Sequence, residues 1–148
     1  MDQKKLFSTL NWFYSLELNQ VDLYIAQSKQ QGDIYIARAL ERFAMIEQQH
    51  VDNIAERIKE LGFQPTSMGD VIAPIVGKMA GSAVALAGTQ AMLRANIALE
   101  KKAMEDYKNL LHKVDPNQKL FNTLWHHLID EDLHTAWMTN KLEELERH

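Results

Sequence analysis

The sequence contains no cysteine, and this absence excludes several kinds of chemistry at once. Disulfide bonds, thiolate zinc sites, iron–sulfur clusters and cysteine nucleophiles all require that residue. Any metal ion must therefore be bound by carboxylate and imidazole groups. The same absence leaves the redox compartment undetermined.

The chain also lacks an excess of positive charge and a long uninterrupted apolar segment. Its formal net charge is -4, which gives no basic surface for nucleic acid, so we expect no nucleic-acid partner. The most apolar stretch, residues 71–93, is broken by Pro74, Lys78 and Gln90. Its uncharged part, residues 79–93, has 15 residues, fewer than the roughly 20 that a membrane-spanning helix needs. The polar start predicts no signal peptide. We expect a cytoplasmic protein, either free or resting peripherally on the inner face of the membrane.

Apolar residues recur at helical spacing, and the sequence shows no strand-like alternation. The pattern predicts four helices, over about residues 4–30, 34–61, 83–113 and 117–147. Gly32-Asp33, Gly62 and Asp115-Pro116 mark the predicted boundaries between them. Residues 63–82 contain several prolines and glycines and leave room for a short apolar helix.

The lengths of the connections predict how these helices are joined. Short connections after the first and third helices, with a long one after the second, are typical of antiparallel pairs linked by one crossover. A chain of 148 residues suits one domain. We predict an all-α fold, a single ferritin-like antiparallel four-helix bundle over residues 1–148, with one long crossover connection carrying a short apolar helix. The sequence leaves open whether the chain forms a homodimer.

Two Glu-x-x-His steps lie within separate apolar helical stripes. Glu47 and His50 form the first step, and Glu131 and His134 form the second. Residues three apart on a helix are neighbours on one face, so each step can present a carboxylate oxygen and an imidazole nitrogen to one metal ion.

The helix that precedes each step carries one glutamate in its own stripe, Glu17 or Glu100. The second half of the chain repeats these positions at an offset of 83 or 84 residues. A tyrosine follows each of these two glutamates by seven residues, at Tyr24 and Tyr107, on the same helix face. The sequence is therefore interpreted as a duplicated helical hairpin.

This arrangement matches the ligand plan of ferritin-like bundles that hold two iron or two manganese ions. We predict a dinuclear centre with the ligands Glu17, Glu47 and His50 for one ion and Glu100, Glu131 and His134 for the other. Glu47 and Glu131 are the predicted bridging pair. Oxygen-rich ligands with one imidazole per metal favour two iron ions, with manganese as the alternative, and do not exclude zinc.

Other polar residues lie close to these motifs in the sequence. Tyr24 and Tyr107 are candidate catalytic residues that could hydrogen-bond to ligand carboxylates or carry redox equivalents, and the alternative is that both are ordinary core tyrosines. Asp130 could accept a hydrogen bond from a ligand histidine, or lie in solvent. His127, one turn before Glu131, could be a spare ligand.

Longer motifs surround the candidate ligands: Glu17-x6-Tyr24-x2-Gln27, Gln64-Pro65-Thr66, Ala85-Leu86-Ala87-Gly88, Ala91-Met92, Ala98-Leu99-Glu100 and Asp130-Glu131-Asp132-Leu133-His134. Together they resemble the di-iron demethoxyubiquinone hydroxylases of the Coq7 type, within the ferritin-like superfamily. The chain departs from that family at Leu16, where glycine is common, at Asp106, where a histidine is common, and at residues 93–96, where Cys-Thr is usual. These changes leave the ligands intact.

The ligand set predicts a non-haem di-iron oxidoreductase that activates dioxygen or peroxide. The resemblance implies hydroxylation of a quinol-like substrate, which would reach the site through the apolar crossover, residues 71–86, resting on a membrane surface. An external electron donor is implied. Two alternatives stay open: iron oxidation, iron storage or peroxide reduction, as in ferritins and rubrerythrins, and a non-catalytic helical bundle that binds metal.

Overall fold

The computed structural model describes residues 1–75 and 88–147. Within these residues we label four long helices in chain order: α1 (Gln3–Gln30), α2 (Ile34–Glu60), α3 (Thr89–Leu111) and α4 (Lys119–Glu146). Residues 72–75 are also helical. The described residues contain no strand, so the predicted all-α class is confirmed.

The chain forms two compact units, Met1–Ile72 and Ala73–His148. In the first unit α1 packs against α2, and in the second α3 packs against α4. The structure therefore contains the two helical hairpins that the internal repeat predicts. That the chain folds as a single domain stays a prediction.

Helix boundaries in the first unit follow from capping residues. Asp33 precedes α2, and its Oδ1 accepts hydrogen bonds from the backbone N–H groups of Tyr35 at 2.8 Å and Ile36 at 3.1 Å. Asp2 caps α1 in the same way. Each such cap stabilises a helix by about 1 kcal/mol. Gly62 follows α2 with φ +88°, a conformation that glycine adopts without strain.

The predicted start of the third helix, at residue 83, is wrong at Gly88. This residue has φ +119° and ψ 176°, which is not helical, and α3 begins at Thr89. Apolar residues continue on both sides of Gly88, so the hydrophobic pattern concealed the break. The rest of that predicted stretch, and most of the predicted crossover helix, fall on residues 76–87, outside the described residues.

Each hairpin carries a set of buried apolar side chains. The side chains with at most 1% exposure include Leu10, Phe13, Leu16, Tyr24, Leu40, Ile54 and Ile58 in the first unit, and Leu93, Leu99, Ala103, Tyr107, Leu124 and Met138 in the second. Burying one large aliphatic side chain contributes about 1.5–3 kcal/mol. These apolar side chains form the surroundings into which the candidate ligands project.

The segment that follows α2 is tied to α1 by three side chains at four-residue intervals. Oxygens of Asn11, Ser15 and Asn19 accept the backbone N–H groups of Thr66, Met68 and Val71, at 2.8, 2.9 and 2.7 Å. Residues four apart share a helix face, so the three acceptors form one polar row along α1. This row satisfies backbone donors of a non-helical segment.

Candidate metal centre

In the first unit three candidate ligands come together. His50 Nδ1 lies 3.4 Å from Glu17 Oε2 and 3.4 Å from Glu47 Oε2. The spacing of three residues puts Glu47 and His50 on one face of α2, and the packing of α1 against α2 brings Glu17 to the same point. All three side chains are at most 1% exposed.

The second unit repeats the arrangement with slightly longer distances. His134 Nδ1 lies 3.7 Å from Glu100 Oε1 and 3.9 Å from Glu131 Oε2. Both glutamates are fully buried, and His134 is 4% exposed. The structure therefore brings together the three residues predicted for each ion.

Each trio holds two carboxylates close together and away from water. Within each unit, one possible ligand atom from each of the three residues lies within 4.8 Å of the others. Burying two ionised carboxylates costs several kcal/mol unless a proton or a cation neutralises them. A protonated imidazole supplies one positive charge, whereas a divalent metal ion supplies two.

The donor sets fit a transition-metal ion. Nitrogen and oxygen ligands bind such ions at about 2.0–2.2 Å, so two ligands of one ion lie roughly 3–4 Å apart. The separations in both trios fall in this range. Carboxylate and imidazole donors suit iron, manganese or zinc. Each trio could therefore hold a metal ion.

The two candidate tyrosines lie in the core of the two hairpins. Tyr24 makes an edge-to-face contact with Phe43, with ring centroids 5.7 Å apart. Tyr107 makes the equivalent contact with His127, also at 5.7 Å, and its hydroxyl lies 3.2 Å from His127 Nδ1. Their predicted catalytic roles stay predictions.

The other two candidate residues are His127 and Asp130. Among the described residues, the groups that could hold a metal ion include His50 and His134 but not His127, whose Nδ1 is hydrogen-bonded to Tyr107. Asp130 is partly buried beside Glu131, and its hydrogen bond to a ligand histidine stays a prediction.

Comparison with protein families matches a ferritin-like domain model over residues 15–148. The chain belongs to the ferritin-like domain family. The match spans all six candidate ligands and, with the helices described above, confirms the predicted ferritin-like, all-α fold class. No curated protein matches this ferritin-like chain. The closer resemblance to Coq7-type hydroxylases therefore stays a prediction.

The structure shows whether the helices of this ferritin-like chain could cross a membrane. None of the helices in the described ranges, 1–75 and 88–147, is both long and apolar enough to cross a bilayer.

Reading the sequence residue by residue missed the contact between Tyr107 and His127. A signal was present, because His127 precedes Glu131 by four residues and Phe43 precedes Glu47 by the same distance. Aligning the two halves of the ferritin-like domain would have shown that one aromatic position changes from phenylalanine to histidine.

Proposed function

We propose that this chain is a non-haem di-iron oxidoreductase that reacts with dioxygen or peroxide. The observation that carries the proposal is the repeated buried trio of two carboxylates and one imidazole Nδ1, found in both hairpins. Membership of the ferritin-like family supports it, since bundles of this class hold paired iron or manganese ions. In this proposal each trio holds one iron ion.

Bound iron would supply electron-transfer chemistry toward dioxygen or peroxide. The residues of the chain would set the preferred oxidation state of the iron and the access of water to it. Four anionic glutamates favour the higher oxidation state, because added positive charge is stabilised by negative ligands. The buried side chains of Leu16 and Leu99, each next to a ligand glutamate in sequence, help to exclude bulk water.

The finer proposal, hydroxylation of a quinol-like ring, depends on the resemblance to Coq7-type hydroxylases. It requires an apolar route for the substrate, which we assign to the crossover at residues 71–86, and an external electron donor. Peripheral contact with a membrane surface through this crossover belongs to the same proposal.

The family match favours a second candidate function, the oxidation of ferrous iron or the reduction of peroxide without an organic substrate. The chain has no cysteine to ligate an electron-transfer centre of its own, so a rubrerythrin-like peroxide reduction would also use an external donor. Iron oxidation needs only ferrous iron and an oxidant, and this difference separates the two functions in the test.

The test begins by loading the protein with ferrous iron without oxygen, removing unbound iron and measuring iron per chain. We expect about two ions per chain, one per trio. Glu47→Ala and Glu131→Ala should each lower that number. Glu56→Ala and Glu143→Ala, exposed glutamates of the same two helices, are the matched controls and should leave it unchanged.

Air oxidation of the loaded protein then tests whether the two irons form one centre. Spin coupling in a ferric pair removes the electron paramagnetic resonance signal, whereas two separate ferric ions remain visible. Stoichiometric iron that survives both ligand substitutions would contradict the proposal, and so would a pair of separate ferric signals. Incorporation of an oxygen atom from dioxygen into the ring of an added quinol, with an electron donor present, would favour the hydroxylase, and turnover of peroxide with ferrous iron alone would favour the second function.

A further inference from the structure

The two hairpins differ at the aromatic residue that contacts the buried tyrosine. In the first unit Tyr24 contacts Phe43, and in the second Tyr107 contacts His127 with the same centroid distance, 5.7 Å. Each aromatic partner comes four residues before its Glu-x-x-His step. The repeat therefore keeps the shape of the contact while replacing a hydrocarbon ring with a ring that can accept a proton.

The geometry of the second pair suits proton transfer. The hydroxyl of Tyr107 lies 3.2 Å from His127 Nδ1. Tyr107 is fully buried and His127 is 1% exposed, so bulk water does not compete for this hydrogen bond. If the tautomer carries its proton on Nε2, Nδ1 accepts the hydrogen bond from the phenol.

We infer that Tyr107 and His127 form a proton-coupled redox site, in which His127 takes the phenolic proton when Tyr107 loses one electron. The O–H bond of Tyr107 breaks, the electron passes to a one-electron oxidant, and the proton moves to His127 Nδ1. The products are a neutral tyrosyl radical, an imidazolium and the reduced oxidant, and the reverse transfer restores the pair. In the first unit the ring at the corresponding position, Phe43, cannot accept a proton.

The position of the pair fits an electron relay to the second trio. Tyr107 follows Glu100 by two helical turns on α3, and His127 precedes Glu131 by about one turn on α4. Under the proposed function, which this step assumes, oxidised iron held by the second trio is the oxidant. The redox property of the pair itself does not need that iron, so it can be measured in metal-free protein.

The experiment uses the full chain without metal, with Tyr14 and Tyr35 replaced by phenylalanine so that Tyr24 and Tyr107 are the remaining tyrosines. Photogenerated tris(bipyridine)ruthenium(III) serves as the one-electron oxidant. Frozen samples are analysed by high-field electron paramagnetic resonance, which identifies a tyrosyl radical and reports whether its oxygen accepts a hydrogen bond.

We expect a radical that is lost in Tyr107→Phe, remains in Tyr24→Phe, and carries the signature of a hydrogen bond. His127→Phe reproduces the packing of the first hairpin and should slow radical formation about 100-fold, since a positioned proton acceptor contributes about 10²–10⁴-fold. His127→Gln keeps a hydrogen-bond acceptor but is not a base, so it should also slow the reaction. Phe43→His should create a second fast site at Tyr24.

Several outcomes would overturn the inference. A rate of radical formation at Tyr107 that is unchanged by His127→Phe would show that the histidine is not the proton acceptor. If His127→Gln reacted as fast as the parent protein, hydrogen bonding alone would explain the effect and proton transfer would be contradicted. Circular dichroism of each variant identifies misfolding. Phe43→His tests for a gained reaction, which misfolding would not produce. Failure to bind iron would contradict the proposed function while leaving these results unaffected.

Discussion

The two hairpins carry the same three ligand types, but the first trio is more compact than the second. The histidine Nδ1 lies 3.4 Å from both carboxylates in the first unit and 3.7 and 3.9 Å from them in the second. The second histidine is also slightly more exposed, at 4% against 1%. Both hairpins therefore carry the same donor set, with longer separations in the second, and we expect tighter metal binding in the first.

The residues around the trios differ more than the trios themselves. Phe43 in the first hairpin corresponds to His127 in the second, and Asn19 corresponds to Lys102. Asn19 binds the backbone of the segment after α2, whereas Lys102 pairs with Asp106 on its own helix. Ligands tolerate little change because each must supply a donor atom, while positions one turn away can acquire separate tasks.

The largest expected effect is on metal affinity, and substitutions of His50 and His134 compare the two trios. Changing a group that only supports a metal ligand lowers metal affinity by about 10–100-fold. Removing the ligand itself, in His50→Ala, should therefore weaken metal binding in the first trio by at least about 100-fold. His134→Ala should leave the tighter ion bound. Anaerobic calorimetric titration with ferrous iron measures both. His126→Ala, an exposed histidine on α4, is the control, and equal affinities in the two trios of the parent protein would contradict the ranking.

A second prediction concerns the stability of the metal-free protein. Glu47→Gln removes one of two buried carboxylates near His50 and should stabilise the metal-free protein by about 1–3 kcal/mol at neutral pH, since unneutralised buried charge is costly. The same change should remove the added stability from the ion in the first trio, about 2.7 kcal/mol for an ion at 100 times its dissociation constant.

Thermal unfolding with and without ferrous iron measures both effects, with Glu56→Gln as the exposed control on α2. Glu131→Gln should stabilise the metal-free protein less, because the second trio is looser. If Glu47→Gln destabilised the metal-free protein instead, the carboxylate would stabilise the first trio without metal.

The sequence predicted the helices and the ligand trios because both depend on local spacing. A Glu-x-x-His step on a helix fixes the relative position of its two side chains whatever the helix packs against. The two side chains of a step need not be seen in contact for this rule to apply, because the helix period alone puts both donors on one face. The offset of the repeat supplied the remaining glutamate of each trio.

Features that depend on distant contacts escaped prediction. The hydrogen bond between Tyr107 and His127 joins residues 20 apart on two helices, so it depends on the rotation of one helix against the other. The row of Asn11, Ser15 and Asn19 binds backbone groups more than 50 residues away in a non-helical segment. The four-residue spacing of the row puts its side chains on one face of α1, but it does not indicate which distant backbone groups they bind.

A third prediction tests the different tasks of Asn19 and Lys102. Asn19 Oδ1 accepts the N–H of Val71 at 2.7 Å, and its Nδ2 donates to the carbonyl of Gly69 at 3.2 Å. Asn19→Ala should cost about 1–2 kcal/mol, because two hydrogen bonds are lost and one partly buried N–H loses its acceptor. Urea unfolding measures the change. Asn109→Ala, an exposed asparagine on α3, should be neutral, and an equally neutral Asn19→Ala would show that the segment after α2 is held by its other contacts.

The smallest expected effect concerns Lys102 and depends on pH. The hydrogen bond from its Nζ to Asp106, at 2.8 Å, raises the pKa of Lys102 above the ordinary 10.5, while desolvation opposes the shift. Because the folded pKa is the higher one, the pair stabilises the protein fully below about pH 10.5 and loses this effect as pH rises through the folded pKa.

The Lys102 side chain is 36% exposed, so solvent screens the pair, and Lys102→Gln should cost only about 0.3–0.5 kcal/mol near neutral pH. Urea unfolding at about pH 8 and about pH 11 measures the difference, which should shrink at the higher pH. Lys101→Gln, its exposed neighbour, is the control, and a difference that was the same at both pH values would show that Lys102 acts through packing of its aliphatic stem rather than through its charge.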